Sequence, residues 1–291
     1  MGLMIGASLL VLSYGVVRNW QQLLAFQWQL TFWPLPVAML LYPVELALTV
    51  GVWRCIIGRM GGQSRWRQDL RIYCTANIAR RLPTVVWFVA GRLYLYQELG
   101  VSKSISSLAT VVEGVLVLFS GLLTLVMLAP LSGGMGALTP YTWLLALMAL
   151  ACMVVVLRPA FLKRAVDWLA LRFGHGRTIA NEVDYRHMLL WTACYVVVWA
   201  VGGLIVYLLV RMVHPLPWGR LPAVIAAWVG GGVVSHVALF LPGGLGLKEL
   251  TMAALLSALV PMPIAIVIAV LTRIWFSLNE LLWFVLTTRL R

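Results

Sequence analysis

The chain has 291 residues, of which 62% are hydrophobic and 11% charged. Soluble domains are about half apolar and about a quarter charged, so a soluble enzyme, a disordered chain and a fibrous protein are excluded. With a mean hydropathy of +0.95, the composition implies an all-α, polytopic membrane helix bundle. The formal net charge is +13, from 22 Lys and Arg against 9 Asp and Glu. In a membrane protein such an excess belongs to cytoplasmic loops and to the attraction of anionic headgroups, not to nucleic acid.

At roughly 20 apolar residues per crossing, the sequence predicts about six to eight crossings in a single integral membrane domain over residues 1–291. Met1 to Val17 is apolar but short, and no basic segment precedes it, so a cleavable signal peptide is not expected. Trp20 to Trp33 holds three Trp and four Gln and suits the membrane interface. Pro34 to Ile57 is the next crossing and carries Glu45. From Arg54 to Arg81, seven Arg surround one acid, Asp69, which places this stretch in the cytoplasm. Leu82 to Tyr96 is short, is broken by Pro83 and Gly91, and contains Arg92. It reads as a half-span or re-entrant segment.

Ser104 to Leu128 is a full crossing with Glu113 inside it. The uncharged loop Pro130 to Pro140 is expected outside, and Tyr141 to Leu157 returns. Arg158 to Arg186 carries six cations and three acids; its amphipathic middle suits the inner leaflet. His187 to Val210 crosses out, and Leu221 to Leu241 crosses back with His236. After LPGGLGLKEL at 241–250 comes a short apolar piece to Val260, then Pro-Met-Pro at 261–263. Ile264 to Thr287 is the last helix, with Arg273, Asn279 and Glu280. The terminal Arg residues place the C-terminus in the cytoplasm if 244–260 crosses, and outside if it re-enters.

Two regions share a pattern. Leu82-Pro83 precedes one short broken segment, and Glu113 lies 30 residues after Pro83; Leu241-Pro242 precedes another, and Arg273 lies 31 after Pro242. A basic residue, Arg92 or Lys248, falls early in each short segment. The pattern predicts an internal repeat with halves at about 34–128 and about 221–287, a feature associated with transporter-type binding sites.

Charges within a membrane are costly and usually pair. Glu113 and Arg273 have opposite signs at matching positions and are expected to pair, although Glu280, seven residues after Arg273 on the same helix face, is a second carboxylate within its reach. Glu249 suits a helix N-terminus. Gly243, Gly244 and Gly246 beside Lys248 serve either a sharp turn or an anion cradle. The candidate headgroup or translocation site is therefore Arg92, Glu113, Gly243, Gly244, Gly246, Lys248, Glu249, Arg273 and Glu280. His236 and Glu45 are candidates for a proton-linked role, with hydrogen-bonded packing as the plainer account of His236. The three consecutive glycines in WVGGGVVSH, Trp228 to His236, suit close helix packing.

No HExxH, GxSxG, Walker A or acidic metal cluster occurs, His175 and His187 lack a ligand spacing, and the three Asp read as loop residues. No metal or cofactor is expected. The cysteines, Cys55, Cys74, Cys152 and Cys194, form no CxxC and imply no disulfide framework.

LPGGLGLKE at 241–249, with the Pro-Met-Pro and the Arg273 helix that follow, resembles the lysylphosphatidylglycerol synthase transmembrane, or flippase-like integral membrane, family. RRLPTVVWFVAGR at 80–92 before the Glu113 crossing adds to the resemblance, which runs from the second crossing to the end. The family's glycine-turn segment ends in a basic residue and Glu, matched by Lys248 and Glu249; its helix acid is matched by Glu113. Pro83-Thr84 departs from the Pro-Gly pair usual in the first motif. The resemblance implies a multi-pass protein of the cell (inner) membrane that binds lipid or moves it between leaflets. Phospholipid, aminoacylated lipid and polyprenyl-linked lipid are the candidate classes. Its expected partners are membrane lipids, anionic ones above all, and a lipid-modifying enzyme. The best-known members also carry a soluble aminoacyl-transfer domain; these 291 residues do not include one, so lipid synthesis is not expected. Two alternatives are a membrane-embedded lipid-modifying transferase, with Glu113 or His236 as base, and a non-catalytic partner subunit of such an enzyme.

Overall fold

In lipid, a backbone without water must bond to itself, and a long apolar run does so as a helix. The computed structural model describes residues 21, 30–63, 65–79, 85–128, 130–132, 147, 164, 168, 184–237 and 246–289. Among them are eight α-helices: α1 Pro34–Arg59, α2 Trp66–Ala79, α3 Val85–Glu98, α4 Lys103–Leu128, α5 Tyr185–Val213, α6 Leu221–Val237, α7 Leu247–Leu256 and α8 Met262–Arg289. Short 3₁₀ turns occupy Pro130–Ser132 and Trp218–Arg220, and no strand occurs among the described residues.

Among the described residues, five segments are long and apolar enough to cross a membrane: α1, α4, α5, α8, and α6 taken with the 3₁₀ turn before it. The chain is a multi-pass membrane protein. Exposed Leu40, Leu190 and Leu278 on these helices suit contact with lipid. The expected apolar segment Met1–Val17, most of Tyr141–Leu157, of Trp20–Trp33 and of Arg158–Arg186, and both Leu-Pro pairs lie outside the described residues. Helices α3 and α7 have 14 and 10 residues. At about 1.5 Å per residue they reach only ~21 and ~15 Å, short of a ~30 Å hydrocarbon core.

Helix ends follow local chemistry. Helix α1 stops at a Schellman motif, with Gly61 at φ +86° and the amides of Gly61 and Gly62 donating to the carbonyls of Gly58 and Ile57. Helix α3 stops the same way, with Gly100 at φ +82° and Gly100 and Val101 donating to Gln97 and Tyr96. The next helix, α4, starts on Ser102, whose hydroxyl accepts the Ile105 amide at 3.3 Å. At the start of α2 the Gln68 side chain accepts the Arg65 amide at 2.9 Å.

The chain forms two compact units. The first takes Met1–Glu45, Gly121–Ala149 and Trp199–Ser277; the second takes Leu46–Ser120, Leu150–Val198 and Leu278–Arg291. In the second, α2 packs against α3. Its buried face is Asp69, Ile72, Tyr73 and Ala76, the spacing of one helical stripe. Asp69 was expected in a loop; it is instead a fully buried helix residue, because α2 turns this stripe inward and leaves Arg67 and Arg71 outside. Cys74, next on α2, is also buried. Burial pushes its thiol up to about 11, the Thr287 hydroxyl pulls it back, and Glu280 adds a smaller rise.

In the first unit α6 packs against α7, and the glycine triplet is what allows it. A Cβ on Gly231 would stand 2.7 Å from the Lys248 carbonyl, and one on Gly230 would stand 2.8 Å from Leu255 Cδ1. A Cβ on Gly232 would run into the Trp199 ring. The expected packing role of this stretch holds. Gly231→Ala is expected to force α7 off α6 and to destabilise the protein by about 1–3 kcal/mol, the usual cost of overpacking. The control is Gly114→Ala on α4, where a Cβ meets nothing within 4 Å; it should leave the thermal midpoint in detergent unchanged or slightly raised.

Candidate functional site

In the second unit the polar core is built around Arg92. This residue lies on α3 and is fully buried. Its guanidinium carbon stands 3.9 Å from the centroid of the Trp53 ring, 4.5 Å from Tyr73 and 4.7 Å from Phe88. Helices α1, α2 and α3 thus supply one aromatic face each to a single cation. Arg92 Nη1 donates to Glu113 Oε2 on α4 and forms an ion pair with it. The other Glu113 oxygen accepts the hydroxyls of Tyr73 at 3.1 Å and Tyr195 at 3.3 Å. Glu113 therefore has three donors, from α2, α3 and α5.

A second chain of bonds shares Trp53. Its indole Nε1 donates to Tyr96 Oη at 2.6 Å, and Tyr96 donates to Asp69 Oδ1 at 2.6 Å. Arg54 Nε stands 3.8 Å from the other Asp69 oxygen. Two buried carboxylates are thus each matched by one arginine, with Trp53 touching both systems.

In the first unit the charges are less sealed. Gly246 opens α7 at φ +99°, a left-handed conformation that glycine adopts without a side-chain clash. Lys248 and Glu249 follow in the first turn. Glu249 Oε1 stands 3.3 Å from Arg273 Nη1 on α8, with the Arg273 side chain 35% exposed and that of Glu249 12%. Lys248 Nζ lies 3.5 Å from the centroid of the Trp228 ring and 6.0 Å from that of Phe276. Trp228 and Phe276 stack with centroids 4.7 Å apart, so Lys248 rests on a two-ring platform, and Phe276 lies one turn beyond Arg273.

Glu45 on α1 joins this cluster. Its Oε1 and Trp228 Nε1 lie 3.1 and 2.7 Å from where a Gly202 Cβ would stand. His236, in the last turn of α6, places Nδ1 2.9 Å from the Gly232 carbonyl and packs edge-on against Trp199, as the plainer account of it expects.

The expected residues therefore fall into two groups: Arg92 and Glu113 in one unit, and Gly246, Lys248, Glu249, Arg273, Glu45 and His236 in the other. The pairings differ from expectation. Glu113 takes its cation from Arg92, and Arg273 meets Glu249, not Glu113 or Glu280 as expected. Glu280 belongs to the second unit, where its charge is felt at Cys74. Gly243 and Gly244 lie outside the described residues. Sequence reasoning missed Asp69, Trp53, Tyr73, Tyr96 and Tyr195.

The family model described as the lysylphosphatidylglycerol synthase TM region matches residues 1–276. The chain belongs to this family. Membership carries a membrane lipid-related function, and a protein of this family contacts membrane lipids directly. No curated protein and no solved structure matches the chain.

The geometry separates the two pairs energetically. Arginine stays charged at any accessible pH, and a buried charge stripped of its partner costs about 3–5 kcal/mol. Glu113→Leu leaves Arg92 among aromatic rings without an anion, and is expected to destabilise the protein by about that amount. Arg92→Met leaves Glu113 with two phenol donors and should cost less. The double variant should recover much of the loss of the Glu113→Leu single variant, which thermal unfolding in detergent reads directly.

Proposed function

We propose that the protein is a flippase-like lipid translocator of the cell membrane, and that anionic headgroups meet it at Arg273 and Lys248. The observation that carries this reading is the Glu249–Arg273 pair, whose cation is one-third exposed. An arginine held at a membrane helix by a single carboxylate is neutral enough to reside there. It is also reachable by a phosphate, whose oxygens can engage a guanidinium through two parallel hydrogen bonds.

In this reading a headgroup phosphate takes the place of Glu249 at Arg273. Lys248, resting on the aromatic platform, supplies a second positive contact as the headgroup passes. Glu249 then returns to Arg273 when the lipid leaves, so no bare charge is left in a low-dielectric site. Arg92 is given a positioning role instead of headgroup contact, because it is fully buried, paired with Glu113 and enclosed by three rings.

The same observations support an internal repeat. In each unit a short helix is followed by a long one, and an ion pair joins the two. Arg92 on the short α3 meets Glu113, the eleventh residue of the 26-residue α4 (103 to 113). Glu249 on the short α7 meets Arg273, the twelfth residue of the 28-residue α8 (262 to 273). The signs are exchanged between the two. Short helices α3 and α7 then act as the broken, re-entrant elements of a transporter-type architecture.

The test is leaflet exchange in liposomes containing the purified protein, with labelled phosphatidylglycerol, aminoacylated phosphatidylglycerol and a polyprenyl phosphate. At least one lipid is expected to exchange, and Arg273→Gln should abolish the exchange while its unfolding midpoint and elution volume stay those of the parent. Full exchange in Arg273→Gln would contradict the assignment of the site. No exchange of any lipid by folded parent protein would favour a partner-subunit or transferase role.

A further inference from the structure

A separate cation lies at the C-terminal end of α5. Arg211 is in the last turn of that helix. Its guanidinium carbon stands 5.0 Å from the centroid of the Trp218 ring, 5.3 Å from Trp33 and 6.0 Å from Tyr207. Among the described residues no carboxylate pairs with it. The segment before α1 is strapped across the same helix end: the Thr31 amide donates to the Met212 carbonyl at 3.0 Å, and the Thr31 hydroxyl donates to the Arg211 carbonyl at 2.9 Å. These bonds satisfy carbonyls that a helix terminus otherwise leaves unpaired. They also fix Trp33 beside Arg211. Thr31, Trp33, Arg211 and Pro215 together line a pocket.

We propose that this pocket is a binding site for the phosphate of a membrane lipid headgroup, separate from the Lys248–Arg273 cluster. A guanidinium held among aromatic faces is preorganised: the rings restrict its motion, one donor faces the Tyr207 hydroxyl, and the remaining donors are left for an oxyanion. Glu113 and Glu249 supply that anion to the two arginines described above, whereas Arg211 has no such partner among the described residues. The surroundings point to a lipid as the source of the phosphate. Phe32, Trp33 and Trp218 are 65%, 52% and 56% exposed, and Trp concentrates at the headgroup level of a bilayer. The pocket sits where an apolar span ends, so a lipid phosphate reaches Arg211 with its tails against exposed aromatic surface.

The experiment is native mass spectrometry of the full chain in detergent, titrated in separate arms with phosphatidylglycerol, with diacylglycerol as tails without phosphate, and with inorganic phosphate as competitor. The parent is expected to retain phosphatidylglycerol in preference to diacylglycerol. Arg211→Gln should lose one bound lipid, with its affinity weakened about tenfold or more, as expected for loss of charged hydrogen bonds. Pro215→Trp fills the pocket but keeps Arg211 and its aromatic neighbours, and should lose the same lipid even if Arg211→Gln proves poorly folded. Displacement by inorganic phosphate would keep the phosphate site but assign it to a free anion. Unchanged phosphatidylglycerol binding in both variants, or equal retention of diacylglycerol, would overturn the proposal.

Discussion

A charge that enters a membrane helix bundle must find its counter-charge inside the bundle, because neither lipid nor the apolar core will solvate it. That constraint organises what is distinctive in this protein. Its two units meet the constraint in opposite ways. Around Arg92 the solution is closure: three rings, one carboxylate and two phenols leave the guanidinium no exposed surface. Around Arg273 the solution is a single carboxylate on a short helix, with the cation still partly open. A sealed pair holds helices together; an open pair can exchange its anion. The proposed function rests on this difference and not on the presence of charge alone.

The open pair depends on backbone proximity elsewhere. Glu249 reaches Arg273 because α7 is held in place, and α7 is held because α6 presents glycine where its backbone nears Lys248. The aromatic platform beneath Lys248 belongs to the same construction, since Trp228 comes from α6 and Phe276 from α8. Gly246 sets the direction in which α7 departs. Small residues, a left-handed turn and two stacked rings thus place one lysine and one glutamate, without any enclosing cavity being needed.

The sequence revealed the helices and their charges more readily than their partners. Apolar runs of more than 20 residues set the spans within a few residues, because in lipid only one regular structure satisfies such a backbone. Glu113, Lys248, Glu249 and Arg273 stood out because ionisable groups are rare in those runs. Which acid meets which base was not legible, since it depends on how short helices pack against long ones. Arg92 and Glu249 decide the pairings, and neither spacing nor matched depth pointed to them. Asp69 was misread because Arg65, Arg67 and Arg71 make its surroundings look solvated. The signal was nonetheless there: 69, 72, 73 and 76 form one helical stripe. The Trp53, Tyr73 and Phe88 cage gives no such signal, as its members come from three separate helices.

The central claim is that a lipid phosphate and the Glu249 carboxylate compete for Arg273. It is tested most directly by titrating the Glu249→Gln variant and the parent with phosphatidylglycerol and comparing their dissociation constants. Competition predicts tighter binding when the rival carboxylate is removed, by about tenfold, or ~1.4 kcal/mol. Equal or weaker binding in folded Glu249→Gln protein would contradict it, and would make the Glu249–Arg273 pair a structural contact like that of Arg92 and Glu113.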